Sequence, residues 1–466
     1  MTASGPVPPT PRRAVPGAAG RLRGLVASPV RLVPVGFLAL IAAGTGLLLL
    51  PVSAGAGAPE SGVPFTTAAF TATSAVCVTG LIVVDTPTYW STTGQTVILA
   101  LIQIGGLGVA TLSALLGLVI ARRLRLSTRL VAAEGSGALA LGTVRSLVVD
   151  VVRIFLVVEA AIAAVLAARF ALHYDEALPR AAWLGVFHSV SAFNNAGFAL
   201  FTDNLVPFAT DEWITMPIMA ALVLGGIGFP VIFELLRRTR PRDWSINTRL
   251  VLTGSVVLLV AGTALVWLSE WRNAATVAGV SGIDRFFLSL FLSASPRTAG
   301  FNVVDYGDLT DAGLLVTIVL MFIGGGSAGT AGGIKVTTVA VLVAAVIAEA
   351  RGDADTTAFD RRIDTTTLRQ ALAVTALTTA LVVTATLLFL ELTDERLADA
   401  LFEVVSATAT VGLTTGVTFR IDEGPQWILV VCMFLGRIGP TTLAAALALR
   451  SRRTLYRLPP GRPLIG

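Results

Sequence analysis

Long and short apolar segments alternate along most of this chain. Each long segment approaches or exceeds the roughly 20 apolar residues that cross a bilayer as one helix. Each short segment has nine to thirteen residues, too few to span, and lies between two long ones. The long segments are 30–50, 96–121, 144–171, 213–236, 250–268, 312–350, 368–390 and 427–448, and the short ones are 65–76, 181–193, 284–294 and 397–405. The pattern predicts an all-α protein of four units, each with a long, a short and a second long helix.

Glycines mark the same two places in every unit. One follows each short segment, and the four are Gly80, Gly197, Gly300 and Gly412, spaced 117, 103 and 112 residues apart. A glycine group comes 25, 28, 24 and 24 residues later, at Gly105–Gly108, Gly225–Gly228, Gly324–Gly326 and Gly436–Gly439. A period this regular indicates internal repeats, which are a hallmark of transport proteins.

The composition is that of a polytopic membrane protein and excludes a soluble enzyme. Hydrophobic residues make up 54% of the chain and charged residues only 14%, whereas soluble proteins carry about 25% charged residues. The sequence shows no Ser/His/Asp set, Cys/His cluster or Walker loop, so we expect neither catalysis nor a bound cofactor. We attribute the net charge of +5 to cytoplasmic loops and not to nucleic-acid binding. Residues 1–29 are predicted to be a disordered cytoplasmic tail.

Arginine clusters predict the orientation of the chain. Each cluster follows the second long segment of a unit, and by the positive-inside rule those ends are cytoplasmic. The clusters are Arg122, Arg123, Arg125 and Arg129; Arg237, Arg238, Arg240 and Arg242; Arg351; and Arg450, Arg452 and Arg453. Each unit then enters from the cytoplasm, dips a short helix back from outside, and returns.

The predicted architecture is therefore eight transmembrane helices and four re-entrant pore helices around one pseudo-fourfold pore. Irregular backbone at membrane depth is tolerated where it lines an aqueous path, which favours a pore between the four glycine loops. The pore repeats are bounded at 30–129, 144–242, 249–351 and 368–453, with an intramembrane gate loop at 324–333 and a cytoplasmic C-terminal tail at 454–466.

The four glycine loops carry the predicted transport chemistry. Glycine adopts dihedrals that turn a carbonyl toward a ligand, and Thr-Val-Gly after a short helix also opens the filter of potassium channels. One such loop would be explained as a turn between helices, but four in register favour a filter, toward which the pore helices point their C-terminal dipole ends. Only the glycines recur in all four loops, so we expect a filter less regular than a tetrameric channel's. The predicted potassium ligands are the backbone carbonyls of Val78, Thr79, Gly80, Asn195, Ala196, Gly197, Thr298, Ala299, Gly300, Thr410, Val411 and Gly412.

Five segments together resemble the Trk/Ktr/HKT superfamily of potassium transporters. They are Ser74–Leu81, His188–Phe198, Ser295–Phe301, Ser406–Leu413 and Gly325–Lys335. The resemblance covers almost all of the chain from residue 30 and is greatest to KtrB-type subunits, because TrkH-type members carry two extra N-terminal helices for which residues 1–29 are too short.

This resemblance implies potassium uptake across a bacterial plasma membrane by a homodimer on a cytosolic ring of KtrA-like, nucleotide-binding regulators. Sodium is the alternative ion, as regulator, coupled ion or preferred cargo. Plant members that prefer sodium have serine in place of the first filter glycine, so Gly80 favours potassium. An unrelated carrier of organic solutes would usually place its binding residues on broken spanning helices, and a purely structural scaffold would not need polar filter loops.

The glycine-rich stretch after residue 323 is predicted to break the second long helix of the third unit. Gly324–Gly329 matches the dinucleotide fingerprint, but it interrupts a spanning segment and lacks the required strand and soluble context. The resemblance implies a gate below the filter; close helix packing through small residues is the alternative. The predicted gate residues are Gly324, Gly325, Gly326, Ser327, Gly329, Thr330, Gly332, Gly333, Lys335 and Arg437.

Four further polar residues have predicted contacts. Arg437 stands where the other units have glycine, and we expect it to hydrogen-bond carbonyls of the gate loop and limit ion flow; the alternative is a structural ion pair with Glu403. Arg297 is expected to brace the third loop against Asp305 or Glu403. His188 is expected to be a packing or hydrogen-bonding residue.

Overall fold

The computed structural model describes residues 29–108, 111, 138–237, 240–280 and 282–449. The predicted tails, the first and last arginine clusters and Arg238 lie outside the described residues, apart from residue 29. Within them the fold is almost entirely helical. One small antiparallel hairpin pairs Thr357–Ala358 with Arg361–Arg362.

The helices follow the four predicted units. The first two units contain α1 (Pro29–Leu48), α2 (Phe65–Val76), α3 (Thr86–Tyr89), α4 (92–108), α5 (Ala138–His173), α6 (Leu178–Phe193), α7 (Glu212–Ile227) and α8 (Phe229–Leu236). The last two contain α9 (Ile246–Ser269), α10 (Gly282–Ala294), α11 (Asp311–Phe322), α12 (Val336–Arg351), α13 (Thr365–Glu391), α14 (Leu397–Thr408) and α15 (Glu423–Leu449). The short helices α2, α6, α10 and α14 lie where the short apolar segments predict them.

Side-chain caps begin three of the long helices. Asp211, Ser245 and Thr310 each accept a hydrogen bond from a backbone N–H in the first turn of α7, α9 and α11, respectively. Such caps satisfy N–H groups that no helical carbonyl can reach. The N-terminal boundaries of these helices therefore follow from local sequence, because each capping residue stands a few residues before an apolar run.

The helices are apolar enough for a membrane protein. Three described helices are long and apolar enough to cross a bilayer: Val148–His173, Ile246–Ser269 and Thr365–Glu391. The pair α7 and α8 makes a fourth if the two are counted as one bent span. The second long segment of the third unit is divided into α11 and α12 by the predicted break. The full count of eight spans remains a prediction.

The second unit differs from the sequence prediction of one continuous helix over 213–236. The chain bends by 100° between α7 and α8, at Gly228, whose φ is +93°. Pro230 follows in the first turn of α8, where its missing N–H costs nothing. A Cβ at Gly228 would lie 2.4 Å from the carbonyl oxygen of Ser327, so the close approach of another backbone segment also requires glycine here.

The packing of the helices is the same from unit to unit. In each unit the first long helix packs on the short helix, in the pairs α1–α2, α5–α6, α9–α10 and α13–α14. The second long helix then packs on the short helix of the following unit, in the pairs α7–α10, α11–α14 and α15–α2. The last of these pairs joins the fourth unit to the first, and a hydrogen bond from Asn194 to Gln103 joins the second unit to the first, so the four units form a closed ring.

The second glycine group has a packing role in three of the units. An added Cβ at Gly105, Gly225 or Gly436 would lie 2.2, 1.9 or 1.8 Å from the carbonyl oxygen of Val76, Phe193 or Thr408. These three residues are the last residues of α2, α6 and α14. Glycine thus lets each second helix contact the end of a short helix directly, which fixes the position of the loop that follows.

Candidate functional site

The four glycine loops share one unusual backbone conformation. We call them loops 1 to 4, residues 78–80, 195–197, 298–300 and 410–412. In each loop the first and third residues have positive φ and the middle residue does not; the positive angles are +55° and +92°, +60° and +71°, +72° and +74°, and +51° and +97°. Positive φ is costly for a residue with a Cβ, and most of all for β-branched Val78, Thr298 and Thr410. Strain repeated at four equivalent places indicates function.

The loops meet in a closed ring. A Cβ added at Gly80, Gly197, Gly300 or Gly412 would lie 2.2, 2.9, 2.3 or 2.1 Å from the carbonyl oxygen of Ala196, Ala299, Val411 or Thr79, respectively. Loop 1 therefore contacts loop 2, loop 2 contacts loop 3, loop 3 contacts loop 4, and loop 4 contacts loop 1. Each contact joins a glycine to the middle carbonyl of the next loop. The ring leaves no space for a side chain at Gly80, Gly300 or Gly412.

A serine near the end of each short helix holds the loop in place. The backbone carbonyls of Ser74, Ser191, Ser295 and Ser406 accept hydrogen bonds of 2.8–2.9 Å from the middle N–H of loops 1 to 4. The hydroxyls of Ser74 and Ser406 accept hydrogen bonds from the N–H groups of Gly80 and Gly412. The hydroxyls of Ser191 and Ser295 donate to the carbonyls of Phe198 and Phe301, which directly follow loops 2 and 3.

Only the glycines recur within loops 1 to 4, as expected, but a serine also recurs before each loop. The serines were visible in the sequence six, six, five and six residues before the glycines. They went unassigned because a serine in an apolar helix has many possible roles.

The surroundings of the ring suit a cation. Four helix C-termini end directly before the loops, and that end of a helix carries partial negative charge. The hydroxyls of Thr79, Thr298 and Thr410 are buried and have no hydrogen-bond partner among the described residues. Buried polar atoms without a protein partner usually meet water or an ion.

A cavity of about 380 Å³ lies on one side of the ring. Three ring glycines line it, together with residues that follow the loops, such as Phe198 and Leu413. Asp203 and Asp305 also line it, and their carboxylates favour cations in the cavity.

The predicted gate segment forms a loop on the other side of the ring. We call residues 324–333 the glycine loop; α11 ends before it at Phe322 and α12 begins after it at Val336. Its neck is closed by hydrogen bonds from Gly324 N–H to the Ile334 carbonyl, at 2.9 Å, and from Val336 N–H to the Gly325 carbonyl, at 3.0 Å. The helix break is therefore an ordered excursion of the backbone.

The glycine loop is bonded to the bend in the second unit. The N–H groups of Gly326 and Thr330 donate to the carbonyls of Gly226 and Gly225 at 2.8 and 3.1 Å. In return, the N–H of Phe229 donates to the Ala328 carbonyl at 3.3 Å. The two interrupted helices thus satisfy each other's backbone groups.

The glycine loop also contacts loops 2 and 4. The Thr330 hydroxyl donates to Asn195 Oδ1 in loop 2 at 2.8 Å. A Cβ at Gly332 would lie 1.9 Å from the Thr410 hydroxyl in loop 4. Loops 2 and 4 are opposite members of the ring, so the glycine loop reaches from one side of the ring to the other.

Two cationic side chains bind the glycine loop. Arg437, 4% exposed, donates from Nη1 to the Thr330 carbonyl. Its Nε and Nη2 atoms have no hydrogen-bond partner among the described residues. Lys335 Nζ donates to the carbonyls of Ala331 and Gly332. The structure thus brings the predicted gate residues together around carbonyls 330–332.

The alternative ion pair between Arg437 and Glu403 was wrong. Glu403 accepts hydrogen bonds from Thr414, Thr415 and Thr418, which bind it to the segment that follows loop 4. The sequence alone could not show that the segment after loop 4 folds back over α14 and places these threonines beside Glu403.

The predicted partners of Arg297 were also wrong. Its guanidinium donates to the carbonyl and hydroxyl of Ser255 on α9, at 3.2 and 3.0 Å, and to neither Asp305 nor Glu403. The Asp305 carboxylate instead accepts from Gly307 N–H.

The prediction for His188 is confirmed. Its Nε2 accepts from Leu200 N–H at 3.2 Å and its ring stacks on Phe201.

Comparisons with known proteins agree with this geometry. The family model described as "TrkH: Cation transport protein" matches residues 51–454. The Ktr system potassium uptake protein B of Vibrio alginolyticus is 39% identical over 445 residues, covering 94% of each chain. The potassium/sodium uptake protein NtpJ of Enterococcus hirae is 33% identical over 446 residues, covering 94% of this chain and 97% of its own. The crystal structure of the potassium transporter TrkH from Vibrio parahaemolyticus has the same fold, with a TM-score of 0.72 at 18% identity, over 90% of this chain and 84% of that one.

Proposed function

The chain belongs to the TrkH family of cation transport proteins, and we propose that it takes up potassium across a bacterial plasma membrane. Family membership makes it a membrane transport protein and not an enzyme. In the proposal, ions lose their water at the ring, bind the carbonyls of loops 1 to 4, and then pass the glycine loop toward the cytoplasm.

The closed ring is the observation that carries this proposal. Alternating positive and negative φ lets successive carbonyls point to the same side of the backbone, and four such loops place carbonyls around one axis. Carbonyl rings of this kind replace the hydration shell of potassium in channels. The cavity with Asp203 and Asp305 is then the outer entrance, and negative charge there raises the local cation concentration.

The glycine loop is proposed to be the gate. It touches loops 2 and 4 on the side away from the outer cavity, so it stands where ions would leave the ring. Arg437 and Lys335 place positive charge on it, which opposes the passage of a cation. Movement of this loop would open the path without changing the ring itself.

Sodium is the second candidate cargo, because one relative is named a potassium/sodium uptake protein. The two ions differ in size and hydration, and the same ring could accept either. The glycine at position 80 favours potassium, on the resemblance described above.

Regulation is proposed to come from a separate subunit. The relative from Vibrio alginolyticus is named as part of a Ktr system, and a gate in the membrane needs a signal from outside it. We propose a homodimer whose cytoplasmic face, with Arg240 and Arg242 in the described residues, docks on a ring of KtrA-like nucleotide-binding proteins.

Ion flux into liposomes tests the proposal directly. Purified protein should carry labelled potassium down its gradient, and competing sodium should reduce that flux much less than unlabelled potassium does. Equal competition by sodium would favour the second cargo, and absence of flux for both ions would refute cation transport through the ring.

A further inference from the structure

A buried carboxylate lies behind loop 2 and has no part in the mechanism proposed above. Glu159, in the membrane-crossing part of α5, is only 5% exposed. Its Oε1 accepts a hydrogen bond from Asn194 Nδ2, and its Oε2 accepts one from Gln103 Nε2, both at 3.1 Å. Asn194 ends α6 and directly precedes loop 2.

The carboxylate has no cationic partner. Among the described residues, no arginine, lysine or histidine forms an ion pair with Glu159. Both neighbours donate N–H groups to its oxygens, so one carboxyl group accepts hydrogen bonds from Gln103 and from Asn194. An acidic residue buried within a membrane segment is costly and normally serves function.

The Asn194 side chain is held through its Nδ2 atom, whereas its Oδ1 has no hydrogen-bond partner among the described residues. Its Nδ2 also donates to Gln103 Oε1 at 2.9 Å, and a Cβ at Gly106 would lie 1.8 Å from its Oδ1. Gln103 and Gly106 belong to the first unit, whereas Glu159 and Asn194 belong to the second. The cluster therefore locks two neighbouring units together at the point where loop 2 begins.

We propose that Glu159 is a positioning residue for loop 2. Its side chain orients Asn194 and so fixes Asn195, whose φ of +60° needs support. A correctly placed Asn195 carbonyl raises the affinity of the ring for a cation. This inference rests on the proposed function of the ring.

The size of the effect follows from the two hydrogen bonds. Glu159→Gln turns one carboxylate oxygen into an NH₂ group that faces Asn194 Nδ2 or Gln103 Nε2, so one of these N–H donors loses its acceptor. Leaving a buried donor without an acceptor changes an equilibrium about tenfold.

The test is potassium flux into liposomes as a function of potassium concentration. In Glu159→Gln the apparent KM for potassium should rise about tenfold, with a smaller fall in the maximal rate. The exchange variant, Gln103→Glu with Glu159→Gln, returns a carboxylate to the side of Asn194 and should restore most of the affinity. An unchanged KM in Glu159→Gln, or no recovery in a folded exchange variant, would overturn the inference.

Glu270→Gln is the matched control. Glu270 is also fully buried and accepts hydrogen bonds from Thr310, Asn273 and Thr276, but these bonds support Thr310, the residue that caps α11, and not loops 1 to 4. This change should lower Tm and leave KM unaltered; an equal KM shift would overturn the inference, because any buried carboxylate would then act alike. If Glu159→Gln does not fold, the exchange variant decides alone: near wild-type KM supports the inference, and a tenfold rise refutes it. Absence of flux in the wild type would instead refute the proposed function.

Discussion

Replacing Gly80 by serine should change ion preference, because this residue makes one of the four contacts that close the ring. Its φ is +92°, and a Cβ would lie 2.2 Å from the Ala196 carbonyl oxygen. Real Cβ atoms do not approach a backbone oxygen so closely, so the Ala196 carbonyl in loop 2 must move. The substitution in loop 1 would thus displace a proposed ion ligand in loop 2.

The structure sets the size of this effect. A left-handed conformation costs a residue with a Cβ about 1–2 kcal/mol of stability. The Ala196 carbonyl must in addition retreat by roughly 1 Å to reach ordinary contact. One displaced polar contact is worth about 1 kcal/mol net, so we expect the potassium-to-sodium permeability ratio to fall about tenfold, which corresponds to about 1.4 kcal/mol.

The assay is relative permeability in liposomes, with Gly62→Ser as the matched control. Gly62 has a nearly equal φ of +94°, but nothing lies within 4 Å of its added Cβ. Both variants should lose similar stability, because each places a residue with a Cβ in a left-handed backbone conformation. Only Gly80→Ser should lose ion selectivity. If a folded Gly80→Ser protein keeps the wild-type permeability ratio, Gly80 is only a turn residue and the ring argument is wrong.

Three further predictions concern the gate, the loop support and the assembly. Arg437→Ala removes a positive charge and a bond to Thr330, so potassium flux should rise several-fold with little change in ion ratio; a folded variant that is no faster than wild type would contradict a barrier role. Ser406→Ala removes the hydroxyl that accepts from the Gly412 N–H, and should cost about 1 kcal/mol of stability and reduce selectivity, measured as Tm and permeability ratio. The protein purified in mild detergent should be a dimer and bind a KtrA-like ring from its own genome; a monomer that binds no such ring would refute the proposed assembly.

The positions of the short helices could be predicted closely from the sequence. The helix α2 has the predicted limits of 65 and 76, and Pro64 directly precedes it. The helix α6 begins three residues before its apolar run, and α14 ends three residues after its own. The ring position of the glycines could also be anticipated, because four copies at regular spacing imply one shared structural requirement.

Contacts between distant segments could not be predicted in the same way. The partner of Arg297 proved to be Ser255, 42 residues away, and sequence offered several carboxylates as equally good choices. The bend at Gly228 was missed because glycine in an apolar run also suits straight helix packing, and only the glycine loop beside it explains the bend. Glu159 was missed because an acidic residue in a long apolar run gives no sign of its neighbours.

Among the described residues a glycine loop occurs in one of the four units, and this has a consequence for how such a protein can be built. The loop extends from loop 2 to loop 4, so it occupies space beneath the ring that a second copy would also need. A pore assembled from four identical chains would carry four such loops, which would collide. Joining the units in one polypeptide removes that restriction, since each unit can then change its sequence alone. In this chain the third unit carries the glycine loop, the fourth carries the arginine that binds it, and the second carries the bend that it contacts. Four identical chains could not divide these features among themselves.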